Sequence, residues 1–420
     1  MTPRNAVYAQ SGGVTSVINA TASAVIQTAR NHSHAIKNVY AAKDGIVGIL
    51  REEMFDTSAE STDAIDALKH TPGGAFGSCR FKISTADVGD PVAQRLFEVF
   101  KAHDIGYVFY NGGGDSQDTC QKISSLSQKF EYPIQCIGIP KTVDNDLSQT
   151  DTCPGFGSVA KYVAVSTREA ALDVKSMCET STKVFILEVM GRHAGWIAAA
   201  GGLAGNVPRD PPHIILFPEI PFDLKMFLNK VDRTVKSLGY CVVVASEGAR
   251  YADGKFLSDA GKKDAFGHVQ LGGVGAVLST MVSDKLGYKY HFAIADYLQR
   301  SARHIASQTD LEQAYAVGDA AVNAAVEGES GVMVVIKRNS DDPYQWTTRT
   351  TSISKVANQE RKVPRSFITK NGFGITARAR RYLEPLIQGE AYPPYNDGLP
   401  SYTELARKPV KKRLPKYILP

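Results

Sequence analysis

The sequence is poor in the features that mark most specialised protein classes. Its six cysteines (79, 120, 136, 153, 178 and 241) form no C-x-x-C pair, and no histidine cluster accompanies them. That speaks against a zinc ribbon or a disulfide framework and reads as reduced, partly buried thiols in a cytoplasmic protein. Long apolar runs are also missing. The longest stretch of small apolar residues, Trp196 to Gly205, is about half a bilayer span, so no membrane partner is expected. The opening MTPRNAVYAQSGG lacks the apolar centre of a secretory signal. There is no low-complexity tract and no short-period repeat. With 420 residues, 43% hydrophobic and 22% charged, the chain has room for two or three ordinary globular domains.

An excess of one sign of charge is scarce too. The formal net charge is +5, from 48 Lys and Arg against 43 Asp and Glu. Six of those cations lie in the last fifteen residues, ARKPVKKRLPKYILP, which hold no acid; the other 405 residues carry 42 cations against 43 acids. A nucleic-acid-binding protein should be basic across a face, so no nucleic-acid partner is expected. The tail reads as a solvated arm, or as one that packs on a subunit interface.

What is present is alternation. Short β-rich apolar runs (Ala6–Gln10, Tyr107–Tyr110, Ile134–Ile139, Val184–Val189, His213–Phe217, Cys241–Ala245, Val332–Ile336) are interleaved with helical patterns. The latter lie near Ser16–Arg30, Gln117–Lys129, Gly157–Met177, Leu224–Leu238, Gly273–Leu286 and Leu311–Val326. Such alternation implies βαβ units and an α/β fold with mostly parallel sheets. Ligands in that class sit beyond the carboxyl ends of the strands, so the polar loops after strands hold the candidate residues.

Those loops are rich. Ser11-Gly12-Gly13-Val14-Thr15 and Gly73 to Lys82, which ends in Arg80 and Lys82, suit an anion. Asn111-Gly112-Gly113-Gly114-Asp115-Ser116 puts an acid beside three glycines, which fits Mg²⁺-bound phosphate. Pro140-Lys141-Thr142-Val143-Asp144-Asn145-Asp146 brings a cation and two acids together. Asp144 and Asp146 flank one residue, so in extended backbone they share a face. Two nearby carboxylates raise one pKa and can hold Mg²⁺. Met190-Gly191-Arg192, Ser246-Glu247-Gly248 and Tyr297 to Arg300 follow further apolar runs. Each loop alone is also what a tight turn, a helix cap or a solvated edge looks like. Together they are equipment for moving a phosphoryl group: cations and Mg²⁺ neutralise it, and a carboxylate deprotonates the acceptor.

With SGGVTSVIN, GGAFGSCRF, NGGGDS, GIPKTVDND, EVMGRHAGW, ASEGA and YLQR in this order, the chain resembles the phosphofructokinase family, closest to its pyrophosphate-dependent type. The resemblance covers roughly residues 8 to 320. It implies two Rossmann-like α/β lobes with the active site in the cleft between them. A phosphate-donor lobe would take residues 1–150 plus about 310–360, and a sugar-phosphate lobe residues 151–309. Residues from about 361 to 420, the Pro-rich end, would form an extension ending in the basic tail.

The implied reaction is transfer from pyrophosphate to the 1-hydroxyl of fructose 6-phosphate, with Mg²⁺, reversibly, in glycolysis and gluconeogenesis. The alternatives are an ATP-dependent phosphofructokinase and a catalytically silent sugar-phosphate-binding subunit. By match, Asp144 is the proton acceptor, and Lys141, Asp115 and Arg192 are catalytic. Thr142, Val143, Asp146, Lys183, Met190, Gly191, Glu247, Tyr297 and Arg300 bind substrate, the last two at the 6-phosphate. Gly12, Gly13, Arg80, Gly113 and Gly114 hold the diphosphate, and Asp115 and Asp144 the metal. Lys183 stands where ATP-using relatives place an arginine that reaches in from a neighbouring subunit, which implies a homodimer or homotetramer. ATP users resemble GGDGS and PGTIDND; Asp115 and Lys141 replace small glycines there, a carboxylate repelling a nucleotide's α-phosphate and a cation favouring pyrophosphate. Gly114 stands where the family usually has a Mg²⁺-linked Asp.

Overall fold

The computed structural model describes residues 2–207, 209–259 and 273–419. Eleven strands build its two main sheets: β1 (Arg4–Gln10), β2 (Ile36–Ala42), β3 (Met54–Asp56), β4 (Ile105–Gly112), β5 (Gln135–Pro140), β6 (Val184–Val189), β7 (Ile214–Leu216), β8 (Cys241–Ser246), β9 (Tyr290–Ile294), β10 (Val332–Asp341) and β11 (Tyr344–Ser352). The larger sheet runs β11-β10-β5-β4-β1-β2-β3 and the smaller β7-β8-β6-β9. All pairings are parallel except the two edges, β2 with β3 and β10 with β11. The fold is thus α/β with mostly parallel sheets, as the alternation implied.

The apolar strands are continuous because both faces of each sheet are covered. From β1, Val7 and Ala9 pack beneath the helices Pro91–Ala102 and Gly114–Lys129, while Ala6 and Tyr8 pack beneath Ile18–Asn31 and Gln308–Val326. In the smaller sheet, Leu187 and Val189 face the helix Phe156–Met177, and Val184 and Ile186 face Leu224–Leu238 and Val274–Leu286. A cross-link joins the two halves: buried Asp310, on Gln308–Val326, accepts from the Gly155 and Ser158 amides (2.9 and 3.0 Å) and the Ser158 hydroxyl (2.6 Å). It thereby supplies the N-terminal cap that Phe156–Met177 lacks from its own sequence.

Several elements escape the sequence pattern. β9 is an exposed edge with no buried face, and β11 alternates only between half-buried and exposed positions, with Tyr344 and Trp346 its only apolar residues, so neither offers the continuous apolar run that marks the other strands. All six cysteines are free, and no helix among the described residues is long and apolar enough to cross a membrane.

The basic tail is not a solvated arm. It runs back to the larger sheet and pairs beyond β3, with the Asp56 amide donating to Lys408 O and the Val410 amide to Met54 O, both 2.8 Å. Two acids anchor its backbone. Glu60 accepts from the Ala406 and Arg407 amides (2.9 and 2.7 Å), and Glu52, 1% exposed, from those of Arg413 and Leu414 (2.8 and 3.0 Å). Glu52 also meets His103 at 2.7 Å and Arg95 at 3.4 Å. Val410, Leu414, Tyr417 and Leu419 pack against the core while the lysines face water. Counting charges could not reveal this, because the tail binds through backbone N–H groups and its scattered apolar residues. Glu52→Ala would strand Arg95 and His103 in the interior, and should cost about 3–5 kcal/mol, read as a lower urea midpoint; an unchanged midpoint would show that the tail is not anchored there.

Candidate functional site

The carboxyl ends of the two sheets face one another across a cleft of about 1190 Å³. Six strand exits supply its walls. From the larger sheet come the loops after β1 (Ser11–Val14), β4 (Gly113–Ser116) and β5 (Lys141–Asp146). From the smaller come those after β6 (Met190, Arg192), β8 (Glu247) and β9 (Asp296, Tyr297, Arg300). Of the residues expected to act, Gly12, Gly13, Arg80, Gly113, Gly114, Asp115, Lys141, Thr142, Val143, Asp144, Asp146, Met190, Arg192, Glu247, Tyr297 and Arg300 line this one space.

Lys141 is buried, 3% exposed, its ammonium donating to Gly13 O at 2.5 Å. A β-carbon at Gly12 would come within 3.5 Å of that ammonium, and one at Gly113 within 3.6 Å of Lys141 O. Two glycine loops and one lysine therefore meet at one end of the cleft, with bare backbone on either side of the cation. The helix Gly114–Lys129 begins in that wall, so its first amides face the cleft. Burial, with the Arg300 charge nearby, lowers the Lys141 ammonium to about 8. Burial, with the like charges of Asp146 and Glu247, pushes the Asp144 carboxyl up to about 8. Burial likewise raises Asp146 and Glu247. Asp146 Oδ1 is shut off from solvent without a protein partner.

The two aspartates do not share a face of extended backbone, as their spacing suggested. Residues 143–144 form a turn, and Asn145 adopts φ of +53°, so a left-handed residue brings both carboxylates to the cleft. Asp115 lies at the rim, its side chain 58% exposed and paired with Lys82 at 3.0 Å. Gly114 has open space where a β-carbon would stand. Arg300 stacks on Tyr297, with Cζ 3.7 Å from the ring centroid, and crosses the cleft: a β-carbon on Gly13 would lie 2.8 Å from its Nη1.

Two expected residues do not line the cleft. Lys183 is tied to Cys178 O and Glu179 O just beyond the helix Phe156–Met177. Gly191 is a hinge between Met190 and Arg192: its φ is +125°, a β-carbon would meet Ala194 O at 2.7 Å, and its carbonyl accepts from Ser246 Oγ at 2.6 Å. Only glycine fits that conformation without strain.

A phosphofructokinase family profile matches residues 5–325. The chain belongs to the phosphofructokinase family. A pyrophosphate–fructose 6-phosphate 1-phosphotransferase of Halomonas elongata is 59% identical over 419 residues, covering 100% of both chains. Among solved structures, the pyrophosphate-dependent phosphofructokinase of Marinobacter aquaeolei superposes with a TM-score of 0.91 at 60% identity, covering 99% of this chain and 100% of its own. That of Nitrosospira multiformis gives 0.92 at 58% identity, with 99% and 100% covered.

This phosphofructokinase also lines its cleft with residues that the strand-exit rule misses. Asn358, Gln359 and Glu360 enter from beyond the matched region, and His193 Nδ1 meets Glu360 Oε1 at 2.8 Å. Nothing local marks them; they arrive by long-range packing. Gly191→Ala should cost about 1–3 kcal/mol of stability and displace Arg192, read as a lower denaturation midpoint with weaker sugar-phosphate binding. Parent-like values for both would remove the hinge argument.

Proposed function

We propose that this chain transfers a phosphoryl group from inorganic pyrophosphate to the 1-hydroxyl of fructose 6-phosphate, giving fructose 1,6-bisphosphate and phosphate. One observation carries the reading: a buried lysine lies between two glycine loops, next in sequence to a carboxylate loop, at the base of a cleft lined by facing strand ends. The names of the full-length relatives support it.

The diphosphate takes the donor end, against Gly12, Gly13, Gly113, Gly114, Lys141 and Arg80. The sugar phosphate takes the other wall, with Thr142, Val143, Met190, Arg192, Glu247, Tyr297 and Arg300. Asp144 accepts the proton of the 1-hydroxyl, whose oxygen attacks the near phosphorus of the diphosphate. The bridging P–O bond breaks and the far phosphate departs with the bond's electron pair. Lys141 and Arg192 balance charge on the transferring group. Asp144 and Asp115 are the residues we assign to Mg²⁺, with the partnerless Asp146 Oδ1 close in sequence. Among the described residues no group of three or more His, Cys, Asp or Glu forms a metal cage. That donor set suits an ion that arrives with the diphosphate and keeps phosphate and water ligands. When bound, it neutralises phosphate charge.

Donor preference rests more on Lys141 than on Asp115, because an exposed carboxylate already paired with Lys82 repels weakly. Lys183, away from its own chain's cleft, is assigned to a neighbour's site in a homodimer or homotetramer, working in the cytoplasm.

Parallel assays with pyrophosphate and ATP test the reading; turnover with ATP alone would reject it. Asp144→Asn should lose about 10²–10⁴-fold in turnover, as for a positioned base, and near-parental rates would remove its role. The pH dependence follows from the shifts. The basic form of Asp144, raised to about 8, is lost as pH falls, and the cationic form of Lys141, lowered to about 8, is lost as pH rises. A bell-shaped kcat/KM near pH 8 is expected, and Lys141→Arg should remove the alkaline limb while keeping the acid one. An alkaline limb unmoved in that variant would assign it elsewhere.

A further inference from the structure

The loop that carries Asp144 is held in place from outside the region matched by the family profile. Arg361 lies 36 residues beyond the end of the match at 325, in the Pro-rich segment that its sequence marked as an extension. Its guanidinium meets the carboxylate loop directly. Nε and Nη2 donate to Asn145 O at 3.2 and 2.9 Å, and Nη1 donates to Thr150 O at 2.8 Å and Asp151 O at 2.6 Å. Nη2 also donates to the Tyr382 hydroxyl at 3.3 Å. Five contacts match the five N–H donors of the group. The Arg361 amide adds a bond to Asp146 O at 2.6 Å.

The clamp has a back wall. The guanidinium lies on the Trp196 ring, with Cζ 4.8 Å from the centroid, and the Trp196 indole N–H donates to Arg361 O at 2.9 Å. The Tyr382 hydroxyl accepts from Asn145 Nδ2 at 3.0 Å and donates to Asp151 O at 2.5 Å. The Cys153 amide binds Asn145 Oδ1 at 3.0 Å. Asn145 is therefore fixed at its carbonyl and at both ends of its side-chain amide, in the left-handed conformation that an asparagine adopts at a cost. All the acceptors of the guanidinium are neutral oxygens. Among the described residues no carboxylate pairs with it directly, so its geometry rather than an ion pair does the holding.

We propose that Arg361 is a positioning residue for the reaction: by pinning the left-handed turn at Asn145 from the C-terminal segment, it sets the direction of the Asp144 carboxylate. It does not itself line the cleft. Without it, the turn can relax towards ordinary backbone angles and swing the base off line. The inference rests on the reaction proposed above, in which Asp144 is the base.

The test compares the parent with Arg361→Ala and Arg361→Lys, each checked for folding by its thermal midpoint. For the alanine variant we expect kcat about 10²-fold lower, the scale of a displaced reacting group, with KM for pyrophosphate unchanged. Millimolar guanidinium chloride should restore part of kcat, and ammonium chloride at equal ionic strength should not. The lysine variant keeps the charge and most of the stem but loses the planar fork, so it should also show the kcat loss. If the alanine variant fails to fold, the lysine variant decides. A folded variant with kcat within about threefold of the parent, a KM for pyrophosphate that rises as kcat falls, or rescue equally by ammonium would overturn the proposal. A parent without pyrophosphate turnover would instead overturn the reaction itself, so the two failures are distinct.

Discussion

A cation kept out of water at the meeting point of two glycine loops is the constraint around which the rest of the cleft is arranged. Lys141 is almost wholly buried and hydrogen-bonds to a backbone carbonyl. An ammonium in that position costs free energy unless charge of the opposite sign is close. Asp144 and Asp146 offset part of the cost, while Arg300 and Arg80 add to it. The cleft is thus a frustrated charge cluster, in which cations burden cations and acids burden acids while the opposite charges only partly offset the cost. A polyanion entering at the glycine loops meets exposed amides and three cations, and needs little rearrangement to be bound.

The framework that holds this cluster is distributed along the whole chain. Parallel strands deliver loops to one edge of each sheet, but they do not hold the sheets face to face. Asp310 does so by capping a helix that belongs to the other half. The segment after β11 crosses over to pack Val363, Phe367 and Leu383 beneath the smaller sheet, and the tail then returns to the larger one beside β3. The chain passes between the halves repeatedly, and Asp310, Arg361, Glu52 and Glu60 anchor these passages by pairing with backbone. Polar anchors of this kind fix register where apolar contact alone tolerates sliding.

The fold was legible because buried parallel strands are apolar throughout and helices recur at their own period. VFILEV and CVVVAS announce themselves without any partner, and a polar loop after each is a local signal. Legibility ended where the deciding contact was distant in sequence. Arg361 meets Asn145 across 216 positions and Glu360 meets His193 across 167; in a linear reading these are ordinary surface charges in a Pro-rich stretch. The left-handed turn at Asn145 was hidden for the same reason, since asparagine permits that conformation but does not demand it. The basic tail was misread because composition records side chains, whereas Glu52 and Glu60 bind its amides.

The same contrast bears on how the donor is chosen. At the level of sequence, Asp115 and Lys141 look equivalent: two charged residues where ATP-using relatives have glycine. In three dimensions they are not. Asp115 is more than half exposed and already paired, and water and Lys82 screen it from anything bound deeper. Lys141 occupies volume at the junction of both glycine loops and carries a charge that solvent does not reach. In the proposed reaction an inorganic diphosphate ends there and uses the ammonium as a ligand. A nucleotide has to continue past it with a further phosphate, a ribose and a base, and each atom added must fit around a side chain whose own position is fixed by the Gly13 carbonyl. Under the proposed reaction, shape and buried charge at residue 141, rather than repulsion at the rim, bear most of the discrimination between donors.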